Sequence, residues 1–186
     1  MHSSSRHVGV MALLVFGLAL GGCGSAESSA PSVPQGANLV AWVDTFCTGL
    51  GDVVAEQAAV MKTQPPTTQG QKDALLKLAD STQQSFASTA NKLTQLGPPA
   101  IPHGKQTQDS AVGFFTTSAS TVSDQRAKLE ALDTNDPHFA QKASQLASPN
   151  GDTTANRLQG VTSSPEVMAA FGKAPKCQRL VTTATH

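Results

Sequence analysis

The stretch Leu39-Val-Ala-Trp-Val-Asp-Thr-Phe-Cys-Thr-Gly-Leu-Gly-Asp-Val53 sets the fold of this chain. Its apolar residues recur at alternating spacings of four and three, which places them on one stripe of an amphipathic helix. We predict a first helix over residues 37–62, ended by Gln64-Pro65-Pro66, because proline lacks an amide hydrogen and restricts the residue before it. The stripe consists of Leu39, Val43, Phe46, Leu50 and Val53.

The same spacing recurs in two further segments and predicts helices over residues 71–96 and 105–132. Gly97-Pro98-Pro99 follows the second helix, as a glycine cap before prolines should. The stripe of the second helix is Leu75, Ala79, Thr82, Phe86, Thr89, Leu93 and Leu96. The stripe of the third helix is Ala111, Phe115, Ser118, Val122, Gln125, Leu129 and Leu132.

The rest of the chain predicts a fourth helix that is broken into short pieces. Asp136, Asp152 and Ser164 are candidate N-caps for these pieces, and Pro149, Gly172 and Pro175 interrupt them. No convincing strand pattern is present. We therefore predict an all-α, up-and-down bundle over residues 37–186, with three long helices and a broken fourth.

The N-terminus has the three parts of an export signal. A polar start with Arg6 precedes an apolar run of 13 residues, Val8 to Leu20, which is shorter than the roughly 20 residues that span a bilayer. Leu20-Gly21-Gly22-Cys23 resembles the lipobox of bacterial lipoproteins. The resemblance implies that residues 1–22 are a signal peptide and that Cys23 carries acyl chains such as palmitate. An ordinary secretory signal with an incidental cysteine is the alternative.

The residues after Cys23 are rich in Ser, Ala, Pro and Gly and cannot bury a core. We interpret residues 23–36 as the lipidated cysteine and a disordered tether that spans roughly 20 Å. Cys47 and Cys177 then remain, one near each end of the folded part. We predict that they pair in an exported protein and fasten the C-terminal segment to the first helix; two free thiols are the alternative.

Composition excludes several classes of function. The chain has 13 Lys and Arg and 13 Asp and Glu, and losing residues 1–22 removes only Arg6, which leaves 12 against 13. Without a basic stripe, nucleic-acid binding has no electrostatic basis. His103, His138 and His186 lack metal-ligand spacing, so we expect no metal and no cofactor. Asp52 and Glu56, one turn apart, are interpreted as a solvated acidic face.

Two features remain as candidate binding residues. Thr82, Thr89, Ser118 and Gln125 occupy stripe positions where leucine is usual, so they either allow close helix packing or line a partly polar cavity. Trp42 is the only tryptophan and lies beside the stripe of the first helix. It either covers the core near the tether or is an exposed anchor for a partner.

Taken together, these features resemble small secreted lipoproteins of actinobacteria, including mycobacterial ones. The resemblance is carried by the lipobox, the tether, Trp42 to Cys47, Leu96-Gly97-Pro98-Pro99 and Cys177-Gln178. It implies a cell-envelope protein held on the extracytoplasmic face of the cell membrane. We expect a non-enzymatic role in the cell envelope, either in binding an envelope component or partner protein or as a structural protein. The alternatives are a carrier with a cavity for a lipid or small apolar ligand between helices, and an unrecognised hydrolase.

Overall fold

Six helices make up most of the region that the computed structural model describes, residues 36–63, 65–147 and 158–183. They are α1 (Leu39–Lys62), α2 (Thr68–Leu96), α3 (Gly104–Glu130), α4 (Phe139–Ala147), α5 (Pro165–Phe171) and α6 (Pro175–Thr183), and residues 158–162 add a further helical turn. The predicted all-α bundle is confirmed. The predicted signal peptide, Cys23, the tether up to residue 35 and the Asp152 cap lie outside the described residues. Among the residues described, no helix has the length and apolarity needed to cross a membrane.

Local signals explain where the long helices begin and end. The side chains of Asn38 and Thr67 each accept a hydrogen bond of 3.1 Å from the backbone N–H three residues on, which caps α1 and α2. Gly97 ends α2 with φ 75°, in the left-handed region that glycine tolerates best. A side chain at Gly104 would place its Cβ 2.0 Å from the Pro99 carbonyl oxygen, so the start of α3 requires glycine.

The main core is an aromatic cluster at the end of the bundle where α1 begins. Trp42, Phe46, Leu93 and Phe115 come from α1, α2 and α3 and are at most 1% exposed. The rings of Phe46 and Phe115 meet edge to face, with centroids 5.1 Å apart. Burying each of these side chains contributes about 1.5–3 kcal/mol. The broken fourth segment closes this core with Val161, Val167, Ala170, Phe171 and Ala174.

A second and smaller core lies at the opposite end of the bundle. It is formed by Leu129, Phe139 and Ala143, where α4 packs against the last turns of α3 and the first turns of α2. Partly buried leucines surround it, namely Leu75, Leu76, Leu132 and Leu146. The bundle is therefore closed by a cluster of aromatic rings at one end and by Phe139 with a few aliphatic side chains at the other.

The disulfide between Cys47 and Cys177 is confirmed, with Cα atoms 5.1 Å apart and a sequence separation of 130. It joins α6 to α1, as predicted. Next to it, the backbone N–H of Lys176 donates to Asp44 Oδ1 at 2.7 Å, which caps the start of α6 with a side chain of α1. One turn further on, Leu180 lies over Gly51, so α6 runs along α1.

The chain enters the bundle through a backbone clamp. The N–H of Ala37 donates to the Pro98 carbonyl at 2.8 Å, and the N–H of Ala100 donates to the Ala37 carbonyl at 3.0 Å. This pair of bonds is an isolated β-bridge between Ala37 and Pro99. A Cβ at Gly36 would lie 2.5 Å from the Pro98 carbonyl oxygen, so the approach is too close for any other residue. The entry point is thereby tied to the connection between α2 and α3.

One apolar position that the stripes placed inward is exposed. Leu96 is 41% exposed because it is the last residue of α2 and lies beyond the aromatic core. Its inward position was predicted from spacing alone, which does not locate the edge of a core. Met168 is also exposed, because the short helix α5 points Val167 and Ala170 inward and Met168 falls on a different side.

Two predicted helix ends also differ. α3 ends at Glu130, and Leu132 belongs to the turn that follows. α4 begins at Phe139 and not directly after Asp136, its candidate N-cap. The carboxylate of Asp136 still accepts a hydrogen bond from the backbone N–H of His138 at 2.8 Å, so it caps the turn that leads into α4.

Candidate binding surfaces

Trp42 is fully buried, so its interpretation as an exposed anchor is wrong and its placement in the core is confirmed. Its indole N–H donates to Gln108 Oε1 at 2.6 Å, and Gln108 Nε2 donates to the Leu93 carbonyl at 2.6 Å. Sequence reasoning missed Gln108. Extending the stripe of the third helix by three residues before Ala111 would have found it.

Thr89 shows the close-packing role that the sequence offered for the polar stripe. Its hydroxyl donates to the Ser85 carbonyl at 2.8 Å, so the buried oxygen is satisfied within α2. Its side chain lies against Gly49, where an added Cβ would come within 2.3 Å of the hydroxyl oxygen. Thr89 therefore brings α1 and α2 together and is not part of a cavity between helices α2 and α3.

Thr82 and Gln125 show the other role, because both line a cavity between α2, α3 and α4. The cavity has a volume of about 120 Å³ and adjoins the second core, whose Leu129 and Ala143 line it. Ser118 is half-buried but does not line it. The other lining residues include Leu75, Leu78, Ala79, Val122, Leu129, Ala143 and Leu146.

Arg126 stands at the edge of this cavity and joins two helices. It donates to Asp80 on α2 and, at 2.7 Å, to Glu130 one turn along α3. The hydrogen bond to Asp80 first, and then that to Glu130, raise the pKa of Arg126 above its ordinary value. The guanidinium is thus a fixed positive charge at the cavity edge.

A groove lies beside the disulfide, between α1 and the C-terminal helices. It has a volume of about 470 Å³. Val181, 66% exposed, stands at its edge, and Leu50, Phe171 and Leu180 are half-buried within it. Its remaining lining residues are Cys47, Gly172, Cys177 and Gln178. We call these eight residues the disulfide groove.

The acidic pair on α1 is not a uniformly solvated face. Asp52 is exposed, but Glu56 is half-buried against α2. Glu56 Oε1 accepts a hydrogen bond from the Ser85 hydroxyl at 3.3 Å. Glu56 Oε2 is buried without a hydrogen-bond partner, and no other buried side-chain oxygen or nitrogen in the described part of the chain shares that condition. The interpretation as a solvated face is therefore wrong for Glu56.

The remaining polar contacts have structural roles. Ser164 accepts from the Val167 N–H at 3.3 Å and donates to Glu166 at 2.6 Å, which is a cap for α5. The bond from Ser164 lowers the pKa of Glu166. In the ranges that the structure describes, no three His, Cys, Asp or Glu side chains come together as metal ligands.

No family model, curated protein or solved structure matches this chain.

Proposed function

We propose that the chain is a lipid-anchored protein of the cell envelope that binds an envelope protein on the extracytoplasmic face of the membrane. The disulfide groove is the proposed contact site, and it is the single observation that favours this function. Its exposed aliphatic side chain and half-buried apolar walls form a concave apolar surface, which is typical of protein-binding sites. The disulfide holds both walls in place, so a partner would not have to order them.

The position of the groove supports a partner near the membrane. Leu50, in the groove, lies 11 residues along α1 from Leu39, which corresponds to roughly 17 Å of helix. The chain enters the bundle just before Leu39, on the side of the predicted tether. A partner in the groove would therefore lie close to the point from which the domain is tethered.

The anchor is tested separately from the groove. Cys23→Ser removes the thiol that would take the lipid, and the protein is expected to move from the membrane pellet to the supernatant. Retention of this variant in the pellet would contradict the lipid anchor.

The groove is tested by photo-crosslinking in the membrane-bound protein. A crosslinking amino acid placed at Val181, or at Gln178 one turn earlier on α6, is expected to give the same discrete adduct. The matched control is Met61, which is 75% exposed near the end of α1 and outside the groove. Equal adducts from all three positions, or none from Val181 and Gln178, would contradict the proposal.

A second candidate function is a carrier of a small apolar ligand, and the cavity lined by Thr82 and Gln125 favours it. An apolar cavity of roughly 150 Å³ holds a benzene-sized molecule, so about 120 Å³ fits only a ligand of that size or smaller. Benzene at saturation is then expected to raise the melting temperature, and Ala79→Leu, which fills the cavity, should abolish the increase. An unchanged melting temperature in the native protein would reject this candidate.

A further inference from the structure

The cavity lined by Thr82 and Gln125 contains a hydroxyl group that the protein itself does not bond. Thr89, two turns later on the same helix, donates its hydroxyl to the Ser85 carbonyl at 2.8 Å. Thr82 is only 7% exposed, yet its hydroxyl makes no hydrogen bond within the described part of the chain. Buried hydroxyl groups in native proteins usually have a partner, because leaving one unpaired is unfavourable.

The unpaired hydroxyl of Thr82 faces the cavity. Among the described side chains that are not exposed, Glu56 Oε2 is the one polar atom that lacks both a partner and contact with open space. Thr82 Oγ1 must therefore adjoin open space, and the space that Thr82 lines is this cavity. Gln125, half-buried on α3, adds an amide that also makes no hydrogen bond in the described ranges. A ligand in the cavity would thus meet a polar group from α2 and another from α3.

Water satisfies only part of this cavity. A volume of about 120 Å³ holds several water molecules, and a buried water makes about three hydrogen bonds. Most of the lining is aliphatic, including Leu78, Val122 and Leu146, which offer those waters no partner. Displacing such waters with an apolar group is favourable, whereas the Thr82 hydroxyl requires a polar group. The lining therefore favours a ligand that combines an apolar body with one hydrogen-bonding group.

The charges at the edge of the cavity favour a neutral ligand. Arg126 lines the cavity, and its guanidinium is paired with the carboxylates of Asp80 and Glu130. The edge thus carries one positive and two negative charges, which disfavour a carboxylate or phosphate beside them. A hydroxyl group is uncharged and can both donate and accept, so it suits the Thr82 hydroxyl and the Gln125 amide.

We infer that this cavity binds a small neutral alcohol. The hydroxyl group of the ligand bonds to Thr82 and to the Gln125 amide, and its apolar body packs on Leu78 and Val122. Because the cavity is of benzene size or smaller, the ligand has about six carbon and oxygen atoms. The inference rests on the second candidate function, since it names the chemical class of ligand for the same cavity.

The test compares cyclopentanol with methylcyclopentane, which has a methyl group in place of the hydroxyl group. Dissociation constants are measured by NMR titration of the whole chain with Cys23→Ser, so that no acyl chain competes for the cavity. Thr82→Val should weaken cyclopentanol binding about fivefold, the loss of one neutral hydrogen bond, and should not weaken methylcyclopentane binding. The matched control Thr89→Val removes a hydroxyl outside the cavity and should leave both constants within about twofold. Ala79→Leu, which fills the cavity, should abolish the binding of both ligands.

Several outcomes would overturn the inference. These are no binding of cyclopentanol to the native protein, an equal loss for both ligands on Thr82→Val, or cyclopentanol binding that survives Ala79→Leu. Tighter binding of cyclopentylamine than of cyclopentanol would also overturn it, because the cavity would then recognise a positive charge. Without ligand, the urea midpoint of Thr82→Val should be no lower than that of the native protein, and a lower midpoint would show that the hydroxyl serves folding instead.

Benzene separates this inference from the carrier function. If benzene raises the melting temperature while cyclopentanol binding does not depend on Thr82, the carrier function stands and the inference is wrong. If neither benzene nor cyclopentanol binds, both are rejected.

Discussion

Gln108→Leu tests whether one buried amide organises the aromatic core. The substitution keeps a similar volume but removes the acceptor for the Trp42 indole N–H, which is 2.6 Å from Gln108 Oε1. The Leu93 carbonyl keeps a partner, because it also accepts from the Gly97 N–H at 3.1 Å. The expected loss therefore comes mainly from one unpaired indole donor in a dry core.

Leaving such a donor unsatisfied is unfavourable by about 1–3 kcal/mol, so we expect Gln108→Leu to lower the free energy of unfolding by about 2 kcal/mol. For a domain of this size, that corresponds to a fall of roughly 4–8 °C in melting temperature. Trp42→Phe should also destabilise, since it leaves the amide oxygen of Gln108 unpaired. The double variant should be more stable than the sum of the two single changes predicts, with a coupling of about 1–2 kcal/mol.

Urea denaturation followed by circular dichroism measures all four proteins on the same scale. Gln106→Leu, at an exposed position on the same helix, is the control and should change stability by less than about 0.5 kcal/mol. The reasoning is refuted if Gln108→Leu is as stable as the control and the double variant is additive. In that case the amide would be a tolerated polar group with no net contribution.

Three further predictions concern packing, covalent restraint and pH. Gly49→Ala should destabilise the protein by about 1–3 kcal/mol, because the added Cβ would lie 2.3 Å from the Thr89 hydroxyl oxygen. The added Cβ of Gly113→Ala meets nothing within 4 Å, so this variant should be more stable by about 0.5–1 kcal/mol. Denaturation midpoints that move in the same direction for both variants would contradict this prediction. Replacing both disulfide cysteines with serine should lower the unfolding free energy by up to about 4–5 kcal/mol, and an unchanged melting temperature would show that the loop is already restrained without the bond. The hydrogen bond from Lys142 lowers the pKa of Asp136 below its ordinary value of 3.8. The ionised carboxylate therefore stabilises the turn before α4 fully above pH 3.8. This stabilisation is lost as the pH falls through the lower pKa of the folded protein. An NMR titration of the Asp136 carboxyl should show a midpoint below 3.8 that rises on Lys142→Gln, while the hydrogen bond from the His138 N–H remains.

The long helices were predictable because each has a stripe and an explicit stop. Their observed ends lie within about three residues of the predicted ones, since Gln64-Pro65-Pro66 and Gly97-Pro98-Pro99 leave few alternatives. The disulfide was predictable because two cysteines remain once Cys23 is assigned to the anchor. The helix ends follow from local sequence and the disulfide follows from the number of cysteines, so neither prediction requires knowledge of which helices are neighbours.

The binding surfaces were not predictable in the same way, because they depend on the neighbours of each helix. Periodicity placed Thr82 and Thr89 on one stripe of α2. Only the contact between Thr89 and Gly49 of α1 shows that Thr89 is a packing residue, whereas Thr82 lines the cavity. Glu56 was taken as solvated because its spacing from Asp52 says nothing about how closely α2 approaches. Gln108 was missed because a glutamine on a helix stripe does not by itself predict a buried hydrogen bond. That bond is evident only when Trp42 is placed opposite Gln108.

The disulfide also determines how this domain transmits mechanical tension. A pull applied between residues 36 and 183 follows the chain to Cys47, crosses the sulfur–sulfur bond and leaves through Cys177. Once the hydrogen bonds of Ala37 with Pro98 and Ala100 have broken, residues 48–176 lie outside the covalent load path. A force applied at residue 36 can extend only residues 37–46, about 35 Å of extended chain, before it reaches the disulfide. A force between the two ends of the described region would thus extend only the short segments outside the crosslink, and the disulfide would protect most of the bundle from unfolding.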